Sequence, residues 1–485
     1  MPGSQSNFPT AIQNMLQKNY LKTALEQYLA PNIQYYNMAE HKAIPMSVGD
    51  TFTMSRPGLL SANPDPIDPT TLTGLDNGMT DQQWNVEQFT LTLQQLQGTQ
   101  SIDLLTKGQS IVDRFDHSMK TNIIQAGQSV DVYLRNCLFG GLVPSGANLT
   151  AVKEGYLSGN SFVRSAALST ATTLNVDDIT GFASLYVNGV LTNVSPSNPI
   201  AATIYATGGP AAGVVVSVIG VAQDGGNVTA RIFTAIGTSV AGRGASGVLT
   251  LAAVTGQAVT AGDSIVASDG CVILRPNAKS NYTKLTSADT FSQAQILDAV
   301  ALLRNRQVPA MPDGRYVMVC DYVSMRQIFG DQDYKIATQG RFDSQFFQNA
   351  EVDNYLGVHI IQTSNAPIQL PAAGGSTVTV RRPIVCGADI LVDGYYDGVR
   401  DFANMGSDAT SAFTDGAAMA FFREEREGTA LIVRPPIDRQ SRSLTMSWVS
   451  VRDAIAPTDA TATSSIIVTG DNARRKRGVV IEHAG

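Results

Sequence analysis

The sequence predicts an α+β chain of several domains, and three observations carry that class. One long amphipathic helix spans residues 110–140, runs of alternating apolar and polar residues stand on both sides of it, and residues 158–283 form a separate stretch rich in Gly, Ala, Ser, Thr and Val and poor in charge. The last is the pattern of an all-β domain inserted between two helical parts.

In the helical stretch SIVDRFDHSMKTNIIQAGQSVDVYLRNCLFG, Val112, Phe115, Met119, Ile123, Ala126, Val130, Leu134 and Cys137 recur at three- and four-residue spacing, the period of one helical face. Ser110 is the expected N-cap, with Asp113 as its capping-box partner. Gly140 and Gly141 supply a left-handed stop. At a rise of 1.5 Å per residue the rod is about 43 Å long. Phe115, Met119, Ile123, Val130 and Leu134 are the expected core of this spine. Gly127 costs about 1 kcal/mol against Ala inside a helix, so close packing is expected there.

Before the spine, residues 9–29 predict a short helix ended by Pro31, followed by an extended arm with Tyr35 and Tyr36. Residues 48–56 and 84–96 read as strands, the second alternating Phe89, Leu91 and Leu93 with threonines. Between them lies an excursion containing Pro57, Pro64, Pro66 and Pro69, too proline-rich for a sheet interior. Two strands with such a tip make an extended hairpin arm, which is not stable alone in water and needs a neighbouring surface.

In the inserted stretch, short alternating runs at 184–191, 213–221, 227–236 and 247–254 predict a small sandwich or barrel. A helix returns at 291–306, with Ile296, Ala299, Val300 and Leu303 on its apolar side. A strand at 316–320, a short helix at 322–330, strands at 357–362 and 378–380 and an apolar stretch at 384–392 complete an α/β region. Residues 417–455 predict a strand pair, and a basic tail beside an edge strand is expected after it.

Composition excludes several functions. The chain has 485 residues, 43% hydrophobic and 15% charged, with net charge −7; it can bury a large core and does not coat nucleic acid by bulk charge. No apolar run follows a basic start and none reaches bilayer length, so neither a secretory signal nor a membrane span is expected. Cys137, Cys271, Cys320 and Cys386 are scattered without a CxxC pair, so reduced thiols are expected rather than zinc or disulfides. His41, His117, His359 and His483 have no ligand-spaced neighbours, and no metal or cofactor is expected. The GRGASG run at 242–247 fits a dinucleotide fingerprint, but VLTLAAV follows where a helix is required. The carboxylate pairs Asp177/Asp178 and Glu424/Glu425 fall in a predicted turn and in a run of alternating charge, which favours interface roles over acid–base catalysis. The ARRKRG run at 473–478 reads either as a solvated basic end or as a contact to nucleic acid or to an acidic neighbour.

The order of these parts, with NRQVPAMPDGRYVMV, then NYLGVHIIQTSNAP, then EEREGTALIVRPPIDRQSRSLTMSWVSVRD, resembles the major capsid proteins of tailed bacteriophages with the Hong Kong 97-type fold. The YLGV…TSNAP segment is similar to a G-V-x-x-x-x-T-x-N stretch in one large branch of that family. The resemblance implies an N-terminal arm (1–44), an extended loop (45–100), a peripheral domain with the spine (101–157), an inserted β domain (158–283), an axial domain (284–411), a return to the peripheral domain (412–456) and a C-terminal tail (457–485). It implies self-assembly through hexamers and pentamers into an icosahedral shell around double-stranded DNA. Scaffolding, portal and decoration proteins are the further expected partners, with no membrane. The expected location is the virion capsid, and the host cytoplasm during assembly. An encapsulin-like compartment protein is the nearest rival; a nucleotide-binding enzyme and a glycan-binding β module are further ones.

Charge suggests how copies meet. The hairpin tip carries Asp65, Asp68, Asp76 and Asp81, and the returning sheet carries Arg423, Arg426, Arg434, Arg439 and Arg442. The two sets are complementary inter-subunit contact candidates. Some shells of this fold join subunits through a lysine on the extended loop. Here no lysine occurs from Ala43 to Thr106, and Lys42 and Lys107 lie at the arm's base. Arg56 does not deprotonate at usable pH, so a non-covalent shell is expected.

Overall fold

The computed structural model describes residues 34–44, 49–57, 86–103, 111–142, 153–187, 190–223, 234–235, 238–239, 246–332, 334–335, 357–369, 378–396, 422–426, 428–434, 443–459 and 473–485. The fold is α+β, with many strands and few helices. It divides into two compact units: residues 1–53, 90–138 and 391–455 form the first, and residues 54–89, 139–390 and 456–485 the second.

The first unit is a helix with a six-stranded sheet. Helix α1, Ile111–Phe139, ends at Gly140, whose φ of 83° is the left-handed stop expected of glycine. Met119, Ile123, Val130 and Leu134 are fully buried; the Phe115 side chain and the Ser110 cap lie outside the described residues. Toward its C-terminal end the helix is buried around most of its circumference, and Asp131, Tyr133 and Arg135 are enclosed with the apolar face. The arm explains this. The backbone N–H groups of Gln34 and Tyr35 both donate to Asp131 Oδ1 at 2.8 Å, and Tyr35, Tyr36 and Met38 are buried. The expected helix at 9–29 lies outside the described residues.

The sheet runs in the order Ala39–Ile44, Leu391–Tyr396, Ser443–Ile455, Thr429–Arg434, Phe422–Arg426, with Gln94–Asp103 also paired to Ser443–Ile455. Along the long strand Met446, Trp448, Ser450, Arg452 and Ala454 are buried while Thr445, Ser447, Val449 and Val451 are less so, the two-residue period of a sheet with one covered face. Trp448 pairs with Gly98, where an added Cβ would stand 2.4 Å from the indole nitrogen. The expected strand pair at 417–455 is therefore three strands. The expected strand at 84–96 also divides, into Val86–Thr92 and Gln94–Asp103. The break falls at Leu93, whose N–H donates to Asp50 O. There the chain leaves its hairpin partner, Thr51–Pro57, and joins the large sheet.

The second unit contains the charge-poor stretch as a six-stranded antiparallel sheet, ordered Asn160–Phe162, Ser264–Ala267, Ile200–Tyr205, Val214–Gln223, Gly247–Leu251, Thr173–Val176. The first and last strands meet: Val163 bridges Val176, Asp177 N–H donates to Phe162 O and Arg164 N–H to Asn175 O. The sheet thus closes into a barrel, which leaves no open edge. Inward residues such as Leu174, Val176, Ile204, Val218, Leu249 and Ile265 fill it. The GRGASG run ends on Gly247, the first residue of a strand; residues 242–245 lie outside the described residues.

The same unit holds a five-stranded mixed sheet, ordered Ile273–Leu274, Gly478–Ile481, Ile384–Cys386, Tyr316–Cys320, Val358–Gln362. Helix α2, Gln293–Asn305, opens on a capping box between Ser292 and Gln295 and buries Ile296, Ala299, Val300 and Leu303. Helix α3, Tyr322–Gly330, is capped by Asp321, and its Met325 and Ile328 join the same core as Val385, Val479 and Ile481. The C-terminal segment differs from expectation. Gly478–Ile481 has a partner strand on each side and is fully buried, so it is an interior strand rather than an edge beside a free tail.

Candidate functional site

The basic run at 474–477 is buried throughout. Its neighbours explain the contrast with both readings made from sequence. The apolar strand that follows is buried and carries the run inside, where a cation must be paired. Arg474 donates to Glu154 Oε2 at 2.5 Å and to Asp269 Oδ2 at 2.6 Å. Arg475 reaches the same Glu154 oxygen at 3.4 Å and Ala456 O at 3.1 Å. The backbone N–H of Lys476 donates to Asp459 Oδ2 at 2.9 Å. Arg477 bonds Asp459 Oδ1 at 3.1 Å and Asp389 Oδ2 at 3.0 Å. Arg56 also reaches Asp459 Oδ1, at 3.4 Å, and Asp389 O, at 3.2 Å.

The electrostatics close on themselves. Burial pushes the Glu154 carboxyl up, but Arg474 and Arg475 outweigh it and hold the group below the ordinary carboxylate range. Burial would likewise pull Arg474 down, and Glu154 and Asp269 more than reverse that. Glu154 Oε1 is used as well, accepting from Gly181 N–H at 3.1 Å and Ser184 Oγ at 3.2 Å. Glu154 and Asp269 flank the barrel in sequence. Close to them in sequence, Cys271 N–H donates to Ser158 O and Asn160 Nδ2 to Cys271 O. The basic run therefore clasps the point where the chain enters and leaves the barrel.

A second cluster lies at the chain's end. Glu482 accepts from Arg275 Nε at 2.7 Å and Arg382 Nε at 2.8 Å. Ser324 Oγ stands 2.8 Å from His483 Nε2, the spacing of a nucleophile and its base. The rest of the arrangement is not that of a hydrolase. The carboxylate, Asp321, bonds the serine and Arg381 rather than the imidazole, His483 Nδ1 faces the Ala484 carbonyl, and both Ser324 and His483 are fully buried.

Of the two carboxylate pairs, Asp177/Asp178 is structural, and the Glu424/Glu425 side chains lie outside the described residues. Asp177 and Asp178 are buried and hold the turn after the Thr173–Val176 strand: Asp177 Oδ1 accepts Phe162 N–H, and Asp178 accepts Thr180 N–H and Oγ1. In the first unit Asp393 accepts from Arg452 Nη1 at 3.3 Å and lies 3.2 Å from His41 Nδ1. Asp453 collects Thr92 N–H and Tyr133 OH, each at 2.8 Å. Among the described residues no three His, Cys, Asp or Glu side chains are grouped to hold a metal ion, and no helix is long and apolar enough to cross a membrane. The four cysteines are buried and are not joined in disulfides. Of the contact candidates, Arg423, Arg426 and Arg434 lie on strands of the large sheet. Their side chains, and Asp65, Asp68, Asp76, Asp81, Arg439 and Arg442 altogether, lie outside the described residues.

The partners of the clasp were not visible in the sequence. Arg474 lies 320 positions from Glu154 and 205 from Asp269. The one local signal was the apolar VVI directly after the basic run, which marks a buried strand rather than a solvated end.

Among solved structures, the chain is similar to the capsid of Ralstonia phage GP4, at 12% sequence identity over 92% of this chain and 87% of that chain, with a TM-score of 0.46. It is similar to the capsid of cyanophage Pam1, at 10% identity over 94% and 92% of the two chains, with a TM-score of 0.46. It is also similar to the head structure of Helicobacter pylori bacteriophage KHP40, at 7% identity over 93% and 91%, with a TM-score of 0.40. No family model and no curated protein matches.

Proposed function

We propose that this chain is the major capsid protein of a tailed bacteriophage, built on the Hong Kong 97-type fold, and that it assembles into an icosahedral shell enclosing double-stranded DNA. The observation that carries the reading is the first unit itself. A 29-residue helix, an arm fixed to it through Asp131 and a sheet strung on a 13-residue strand recur in the order that the sequence resemblance implies. The Thr51–Pro57 and Val86–Thr92 hairpin is the base of the extended loop. The barrel is the inserted domain, entering and leaving at the clasp. We place the return to the peripheral domain at Leu391, where the chain re-enters the first compact unit, and read residues 473–485 with the axial domain, because Gly478–Ile481 is an interior strand of the five-stranded sheet. The protein's work is assembly, not turnover, in which many weak contacts become collectively strong.

Negative-stain images of the expressed protein test this. Closed shells are expected, and a monomer at every concentration and salt overturns the reading. We propose further that the acidic tip of one subunit docks on the arginines of another, so shell yield falls as salt rises; salt-independent assembly counts against that pairing. With no loop lysine, boiled and reduced shells are expected to give one band near 51.5 kDa. A ladder of covalent multimers overturns the non-covalent assignment.

A further inference from the structure

We propose that His483 makes residues 483–485 an acid-released latch, closed at neutral pH and opened when the imidazole takes a second proton.

The geometry sets a proton count. Asp321 Oδ1 faces Ser324 Oγ, Ser324 Oγ faces His483 Nε2 at 2.8 Å, and His483 Nδ1 faces Ala484 O at 3.0 Å. A carboxylate and a carbonyl only accept. The serine hydrogen therefore points at Asp321, the Nε2 hydrogen points at the serine, and a neutral imidazole has nothing left to place between Nδ1 and Ala484 O. A second proton would fill that contact, but Ala484 O and Asp321 offset the burial of the resulting cation only in part. His483 is fully buried and stacks on Phe291 with centroids 4.9 Å apart.

The charged groups around it are already committed. Asp321, on the N-cap of α3, pairs with Arg381 and accepts the Val323 and Ser324 backbone N–H groups. Arg381, directly opposite in register, presents a like charge. Glu482 is held by Arg275 and Arg382. The Asp289 carboxylate is occupied by Thr286 and Asn277. Burial accordingly pulls the His483 pKa from 6.5 down to about 4, with the Ala484 carbonyl and Asp321 opposing it only in part.

The sign follows from linkage. A released imidazole takes its proton near 6.5 and the enclosed one near 4, so the closed state is fully favoured above 6.5 and loses ground as pH falls between those values. The smallest opening that frees the ring unpairs the two-residue strand His483–Ala484 from Val380–Arg381 and parts Ser324 Oγ from His483 Nε2; it also breaks Ala484 N–H to Asp289 O at 2.8 Å, Gly485 N–H to Thr379 O at 2.9 Å and Gln327 Nε2 to Ala484 O at 2.9 Å. The interior strand Gly478–Ile481 need not move. Local opening of this kind is read by amide exchange.

The test is hydrogen exchange of the full chain, corrected for intrinsic pH effects and followed in the C-terminal peptide. Protection is expected to fall about tenfold between pH 7.5 and 5.5, with peptides from the barrel unchanged, and the His483→Gln variant is expected to lose that step. Equal protection at both pH values, or the same step in a folded His483→Gln variant, overturns the latch. NMR titration of labelled histidine in the unmodified chain gives a second readout. The His483 resonance is expected to titrate near 4, and a midpoint near 6.5 overturns the proposal whether or not the variant folds.

Discussion

Between residues 160 and 268 the described charged residues are Arg164, Asp177, Asp178 and Asp263, whereas the much shorter stretch 473–485 carries Arg474, Arg475, Lys476, Arg477, Glu482 and His483, all buried. Both lie in the same compact unit, and they satisfy burial by opposite means. The barrel fills itself with Val, Ile and Leu from alternating positions and closes its sheet through Val163 and Val176. Its acids cap turns, as when Asp263 accepts the N–H and hydroxyl of Thr207 and of Thr260. The C-terminal stretch reaches carboxylates supplied by distant parts of the chain. The barrel's order is therefore local and self-contained, while the clasp forms only when the whole unit is assembled around it.

The sharpest way to break that contrast is Arg474→Ala. It leaves Glu154 and Asp269 buried without their main partner, and removing one side of a buried pair costs about 3–5 kcal/mol. Urea denaturation of the full chain should show a loss of that size. The remaining stability should also respond to acid. In the unmodified protein the Glu154 pKa is held below its ordinary value by Arg474 and Arg475 against the upward push of burial. Its contribution is complete above the unfolded value of 4.5 and is lost as pH falls below it. In Arg474→Ala that acid-dependent step should shrink. A variant as stable as the parent would show that the clasp is not structural.

The barrel should answer a gentler change and ignore charge. Ile265 is fully buried and its strand pairs on both sides. Ile265→Val removes one buried methylene, worth about 0.5–1.5 kcal/mol. The loss should be the same at low and high salt, because no ion pair is involved. A salt-dependent loss would place the barrel under the control of the clasp and erase the distinction.

What the sequence revealed divides along the same line. The spine, α2, α3 and the Tyr316–Cys320 strand were legible because periodicity is local, as is the glycine stop at Gly140 after α1; the Ser292–Gln295 box and the Asp321 cap came from the structure. The barrel was legible as short alternating runs, but its closure was not, since Val163 and Val176 lie in runs that look like ordinary strand ends. The clasp was misread because charge in a sequence suggests solvent until its partners are known. Glu154, Asp269, Asp389 and Asp459 carry no local mark that sets them apart from surface acids.

The smallest expected effect concerns the barrel's exterior. Leu168 is 75% exposed and Val254 50% exposed. They sit on turns joined by the bond from Thr255 Oγ1 to Leu168 O and by Thr255 N–H to Ala171 O. These backbone bonds do not depend on the Leu168 side chain, which contributes little to a core it does not enter. Leu168→Ser should therefore change the melting free energy by no more than about 0.5 kcal/mol, measured on unassembled protein. Its value is as a control on the whole comparison. If burial inside the barrel is what matters, Ile265→Val must cost more than Leu168→Ser although it removes less apolar surface from the side chain. A larger loss at Leu168 would mean that this exposed residue packs against something in the folded chain, and that the barrel's stability is not confined to its interior.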